Sequence, residues 1–130
     1  MSQQEIELIL SRHLSTHLKT PIFLVDPDGC LLFYNEPAET ILGRHFAETG
    51  QMSPDEWGTI WRVTDEDDQP IKPEDLPLSI ALAQRCPTHR RMWIVGLDDV
   101  RRHIETTCLP LIGQPNRFLG AMAIFWELDD

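Results

Sequence analysis

The sequence predicts one small α+β domain, and three features carry that prediction: a hairpin with its own turn, a capped helix directly behind it, and three strands in a row near the end. In the hairpin, Ile22 to Val25 is a short apolar and β-branched run, and Cys30 to Tyr34 is its partner. Between them Asp26-Pro27-Asp28-Gly29 supplies a proline with fixed φ and a glycine free to take positive φ, which is the chemistry of a tight turn. Asn35 then stops the second strand, because its amide can bond nearby backbone N–H groups as a helix cap. Residues 36 to 42 form the short helix it caps, and Gly43 stands where a left-handed C-terminal residue is needed.

Taken from the start, residues 2 to 19 read as an amphipathic helix, opened by Ser2 and Glu5 as a capping box and stopped at Thr20-Pro21. At about 100° per residue, Ile6, Ile9, Leu10, Leu14 and Leu18 fall within one half of its surface, with His13 and His17 in the middle of that half. A stripe of this kind needs cover, from the domain or from a second copy of itself. Behind the hairpin and its helix, residues 44 to 74 form an irregular region rich in Pro, Asp and Glu that holds Phe46, Trp57 and Trp61. Glu74 to Arg85 reads as a strong helix, apolar through Leu76, Leu78, Ile80 and Leu82 and ended by Cys86-Pro87. Strands follow near 89 to 97, 101 to 110 and 117 to 127, with turns at 96 to 99 and 113 to 116. The last of them, Phe118 to Trp126, is apolar at both alternate sets of positions, so both faces need cover and the strand belongs inside the sheet.

With 130 residues, 42% of them hydrophobic, the chain can bury one core without help from a metal or disulfide. No apolar run approaches the roughly 20 residues of a membrane span. The polar, acidic start Met-Ser-Gln-Gln-Glu lacks the basic then apolar pattern of a secretory signal, which predicts a cytoplasmic chain. Cys30, Cys86 and Cys108 include no CxxC pair, and their odd number in that compartment reads as reduced, mostly buried thiols. A formal charge of −10 argues against direct nucleic-acid binding, which needs a concentrated basic surface. Arg90-Arg91 and Arg101-Arg102 flank the turn at 96 to 99 and read as arginines on a solvated edge. The acidic run Asp65-Glu66-Asp67-Asp68 lacks the glycine and the closing glutamate of a calcium loop and reads as a solvated turn.

The hairpin, Asn35, Gly43, the later helix and the terminal meander come in the order found in PAS domains, and residues 20 to 127 resemble that family along their whole length. The resemblance implies a five-stranded antiparallel sheet in the order 2-1-5-4-3, with helices on one face and the N-terminal helix or a partner on the other. It divides the chain into a flanking or dimerisation helix at 1 to 20, a PAS domain at 21 to 127 and a C-terminal stub at 128 to 130. PAS domains are sensory and interaction modules, and the marks of their known ligands can be sought one residue at a time. Flavin-binding photosensory members carry a reactive cysteine in an Asn-Cys-Arg-Phe-Leu run, a context that none of the three cysteines here has. Haem-binding members usually take a histidine from the long helix before the third strand. Glu74 to Arg85 has none, and His45 and His89 read as solvated loop residues. No haem or flavin signature is therefore present, while a small organic ligand is admitted by the family's habit of binding one between sheet and helices. Phe46, Trp57, Trp61, Leu78 and Leu82 are the residues expected to line such a pocket, unless they simply fill the core.

His13 and His17, at i and i+4, have the spacing in which two imidazoles share a metal, although two ligands do not make a site; protonation would instead loosen a helix pair. Ile6, Ile9, Leu10, His13, Leu14, His17 and Leu18 are the expected interface of a homodimer formed through that helix. Catalysis has little to build on. The sequence holds no G-x-S-x-G elbow, no H-E-x-x-H and no phosphate loop; Tyr34 has a structural role beside Asn35, and His103 with Glu105 reads as an exposed ion pair. The expected function is a non-catalytic PAS sensor or protein-interaction domain in signal transduction or transcriptional regulation, homodimeric, with room for a small molecule in the groove. A purely structural homodimerisation module is the alternative, and a small-cavity enzyme comes third. Glu127-Leu128-Asp129-Asp130 lacks the Asp-Ile-Thr-like junction that leads from many PAS domains to an effector, so the effector domain or signalling partner stays open.

Overall fold

A computed structural model of the chain describes residues 19 to 113 and 117 to 128. The apolar stripe of Ile6, Ile9, Leu10, Leu14 and Leu18, with His13 and His17, lies outside the described residues.

The predicted hairpin is present as β1, Ile22–Val25, and β2, Leu31–Tyr34. Asp26 does more in its turn than precede the proline: its Oδ1 accepts from Asp28 N and from Cys30 N, each at 2.9 Å, so the carboxylate ties the turn to itself. Helix α1, Glu36–Leu42, is capped by Asn35 and ends at Gly43, whose φ is 80°. A Cβ on Gly43 would meet the Asp98 backbone nitrogen at 2.5 Å, so space as well as φ requires glycine there.

The region expected to be irregular contains two helices and a strand: α2, Phe46–Thr49, α3, Pro54–Ile60, and β3, Arg62–Thr64. Helix α3 has a complete capping box, with Ser53 Oγ accepting from Glu56 N and the Glu56 side chain accepting from Ser53 N, and Pro54 opens its first turn. That signal is legible in Ser53-Pro54-Asp55-Glu56. The helix expected over Glu74 to Arg85 is two pieces, a 3-10 turn at Pro73–Asp75 and α4 at Pro77–Gln84. Leu76 between them is extended, with φ −66° and ψ 144°, because the ring of Pro77 disfavours helical backbone in the residue before it.

The meander follows as β4, Thr88–Val95, β5, Arg101–Gly113, and β6, Arg117–Glu127. The sheet has six strands in the order β2-β1-β6-β5-β4-β3, so the expected five-strand order is kept and the short β3 is added at the β4 edge. Three residues are too few to show an alternating pattern in sequence, which is why β3 was not foreseen. As expected, β6 is an inner strand, between β1 and β5. The core lies between one sheet face and the helices, joining Phe23, Ile94, Ile104 and Phe125 to Leu42, Trp57, Trp61 and Leu78. All four residues of β1 are buried: Phe23 and Val25 join this core, while Ile22 and Leu24, each 1% exposed, point to the opposite face.

Candidate functional site

Two tryptophans shape the space between sheet and helices. Trp57 Nε1 donates to Gly29 O at 2.6 Å and Trp61 Nε1 donates to Leu42 O at 2.9 Å. With their only polar atoms held by backbone carbonyls, the indoles offer apolar surface alone. Both pack edge-on to Phe23, with ring centroids 5.7 and 6.0 Å away.

Beneath them is a cavity of about 80 Å³. Phe23, Leu42, Trp57, Trp61, Leu76 and Leu78 line it from β1 and the helical side; Met92, Ile94, Ile104, Thr106, Cys108 and Phe125 line it from β4, β5 and β6. No carboxylate, amine, guanidinium or imidazole is among its described lining residues. Thr106 and Cys108 are the polar residues of its wall, and the Thr106 hydroxyl is itself buried without a hydrogen-bond partner. Burial pushes that thiol up to about 12, against a smaller opposite effect of its hydrogen bond with Thr88, so Cys108 stays protonated and is no nucleophile at neutral pH.

Of the residues expected to line a pocket, Trp57, Trp61 and Leu78 do so. Phe46 does not: its ring packs edge-on to Phe33 and Tyr34, at 5.4 and 5.2 Å, beside the first hairpin. Leu82, one turn beyond Leu78, packs against the core without reaching the cavity. Thr106 and Cys108 were missed, although alternation along β5 places both on the face that carries Ile104.

On β4 and β5 the opposite sheet face is polar and cross-linked. The expected His103–Glu105 pair is not formed. Glu105 bonds His89 Nε2 at 3.0 Å and Arg91 Nε at 3.4 Å, while His103 pairs with Glu66 and stacks on Trp93 at 4.4 Å. Register is the reason, since Arg91 stands opposite Glu105 and Trp93 opposite His103, and directly opposed side chains are closer than i, i+2 neighbours on one strand. His103 is buried, so it is not an exposed partner in any case. The acidic turn folds back onto this sheet through Glu66–His103 and Asp68–Arg101, and Arg101 also covers the Trp93 ring at 4.0 Å. Arg102 departs from a solvated edge as well: its Nη1 donates to Ile41 O at 3.1 Å and its Nη2 to Asp98 Oδ2 at 3.1 Å, joining the end of α1 to the β4–β5 turn. That hydrogen bond from Arg102 is the largest cause holding the Asp98 carboxyl below its ordinary value.

His45 is exposed, as expected, and its Nδ1 lies 2.9 Å from Glu39 Oε1; this bond, then the charge of Glu39, raises its pKa. His89 is half exposed, but on β4 and not in a loop. The three thiols are free, yet of them only Cys108 is fully buried. Cys30 is partly exposed in the first hairpin, and its pKa is raised by desolvation first and by Asp26 and Asp28 after it. Among the described residues no group of three or more His, Cys, Asp or Glu is placed to hold a metal, and no helix is long and apolar enough to cross a membrane.

This architecture is shared with solved structures. The PAS domain of a Colwellia psychrerythraea protein superposes with a TM-score of 0.65 at 18% identity, over 94% of this chain and 97% of its own. The chain has the PAS fold. The PAS domain of a nitrogen regulation protein from Vibrio parahaemolyticus gives 0.62 at 16% identity, covering 92% of this chain and 98% of that one. That of the fruit-fly ELK potassium channel gives 0.69 at 10% identity, covering 96% and 98%. No family model matches the sequence, and no curated protein matches it. A PAS fold that serves both a nitrogen regulation protein and a potassium channel leaves function to be argued from the site.

Proposed function

We propose that the chain is a non-catalytic PAS sensor and interaction module of a cytoplasmic signalling or transcription-control system, binding a small molecule in its cavity and forming a homodimer through residues 2 to 19. The observation that carries this reading is the cavity itself, apolar, with no acid or base among its described lining residues, and set between the sheet and the segments around α3 and α4. An occupant there changes how those helices rest on the sheet, provided it binds one packing better than another. The change would then pass to the flanking segment, where Ile6, Ile9, Leu10, Leu14 and Leu18 supply the apolar stripe for a second copy, and from there to an effector or partner. The described wall of this cavity holds no carboxylate or imidazole to act as an acid or base on an occupant.

The size of the cavity favours a second reading. Pockets for drug-sized ligands run to roughly 300–1,000 Å³, whereas this one has about 80 Å³, which suits a structural dimerisation module with an imperfectly filled core. Native mass spectrometry of the purified protein separates the two. A dimer with retained extra mass supports the sensor; an apo dimer whose melting temperature no small molecule moves supports the structural module; a monomer removes the role given to residues 2 to 19.

A further inference from the structure

One side of the cavity wall hangs on the edge of the sheet. Trp61 and Val63 enter the wall from the start of the segment 61 to 76, and Leu76 enters it from the end. Between them, β3 pairs with β4 over three residues, with Val63 opposite Ile94 and Thr64 opposite Trp93. The rest of the segment closes on itself. Asp65 N donates to Gln69 O at 2.9 Å, Asp68 N to Asp65 O at 3.1 Å and Ile71 N to Val63 O at 3.0 Å, so the acidic turn is tied to β3 as one piece. Because side chains alternate along a strand, Val63 faces the cavity while Thr64 and the turn behind it stand on the opposite face of the sheet.

The turn then crosses β4. Sheet order puts β5 beyond β4, yet Glu66 pairs with His103 and Asp68 with Arg101, both on β5. Trp93 of β4 lies under the crossing, stacked by His103 at 4.4 Å and covered by Arg101 at 4.0 Å. The four consecutive carboxylates Asp65 to Asp68 repel one another, and the two pairs with basic side chains oppose that repulsion. Ion pairs open to water are individually weak, and here the Glu66 side chain is 50% and the Asp68 side chain 72% exposed. Arg62, at the start of β3, pairs with Asp99 where both are exposed and adds little. A fastening of this kind opens at low cost, whereas inner strands such as β5 and β6 open last. We propose that the acidic turn is a latch: fastened to β5 it keeps the segment 61 to 76 against the sheet, and its release opens the cavity at the β3 edge as the route by which an occupant enters. As a gate for a ligand the latch rests on the reading of the cavity as a ligand site; as a movable side of the wall it does not.

The test uses the Cys108 thiol, which lies in the wall on β5, is 0% exposed and reacts only when the cavity opens. The full chain is labelled with methyl methanethiosulfonate, an uncharged reagent, and modification at each cysteine is followed by mass spectrometry beside amide hydrogen exchange at Ile71 and Phe125. The double variant Glu66→Ala, Asp68→Ala should speed Cys108 labelling and Ile71 exchange roughly three- to tenfold, and about 1 M sodium chloride should speed both in the wild type. Asp67→Ala, which takes a carboxylate from the same turn but cuts neither pair, should speed neither. Cys108 labelling unchanged in the double variant, or accelerated equally by Asp67→Ala, overturns the latch. Acceleration shared by the Phe125 amide, which donates to Pro21 O at the β1 side of the sheet, overturns it as well, since the whole domain is then loosened. None of these outcomes bears on the ligand reading, which retained mass in the native spectrum decides.

Discussion

Asn35 and Thr106 are both buried polar side chains, 1% and 4% exposed, and they stand at opposite ends of the problem that burial poses. The Asn35 carbonyl oxygen accepts from Ile22 N at 2.9 Å and from Ala38 N at 3.3 Å, and its amide donates to Thr20 O at 2.9 Å. One side chain thus fixes the entry of β1, the exit of β2 and the start of α1. Thr106, on a long strand in the same sheet, ties nothing together and faces a cavity. The lesson is that this fold has a jointed end, where polar groups are used up holding backbone, and a looser end under α3 and α4, where a polar group is left over. A ligand or a repacking has something to act on only at the second.

Breaking the jointed end should therefore have the largest effect. Asn35→Ala removes a cap and leaves the buried Ile22 N–H without its acceptor, so a loss of about 3 kcal/mol is expected in urea unfolding. Tyr34→Phe acts at the same end on a smaller scale. The Tyr34 hydroxyl donates to Arg44 O at 2.9 Å and lies 3.0 Å from Thr49 Oγ1, and burial is the largest cause raising its pKa, so it remains a neutral donor. Its removal should cost about 1 kcal/mol, read from the same midpoint shift. A midpoint unmoved by Asn35→Ala would mean that the joint is redundant and the contrast with Thr106 empty.

The two ends also differ in how much of them the sequence reveals. The hairpin turn, the Asn35 cap and Gly43 rest on chemistry within a few residues of chain, and each is where its residue type demands. The site is assembled from β1, three long strands and the helical segments, so its decisive feature, a hydroxyl left without a partner, is a result of packing that no local pattern announces. Trp57, Trp61 and Leu78 could be picked out for their bulk, but bulk placed Phe46 in the pocket too, and only the position of α2 sends that ring to Tyr34 instead. The same limit explains His103, whose neighbours on its own strand are visible in sequence while its partners, Trp93 and Glu66, depend on register and on the fold of the acidic turn. Where local signals were present and unread, as in the Ser53 capping box and the Leu76-Pro77 break, the elements were there to be found.

At the looser end the expected sign reverses. Thr106→Val replaces an unpaired hydroxyl by a methyl of nearly the same size, in a wall that is otherwise carbon. Stability should be unchanged or higher by up to about 1 kcal/mol, in contrast to the usual cost of altering a core residue. A loss of stability comparable to that of Tyr34→Phe would show that the hydroxyl is already satisfied in solution, and the two ends of the molecule would then be alike.

The smallest effects belong to the exposed groups around α1, and they sharpen the comparison by giving the jointed end its own pH dependence. His45 has its pKa raised above the ordinary 6.5 by the hydrogen bond and charge of Glu39, which lies in α1. A raised histidine contributes stability that is complete below the unfolded value and is lost as pH rises through the folded one. Asp98 has the opposite sign: lowered from 3.8, chiefly by its hydrogen bond with Arg102, it contributes stability above the unfolded value that is lost as pH falls through the folded one. Melting curves between about pH 6 and 8 should therefore show a slight decline in the wild type that is smaller in His45→Gln, and below about pH 4 a decline that Asp98→Asn reduces, the remainder including Glu105, whose carboxyl is lowered chiefly by its hydrogen bond with His89. The Thr106→Val variant should follow the wild type in both windows, since among the described residues of the cavity wall the one ionisable group is the Cys108 thiol, which burial pushes up to about 12.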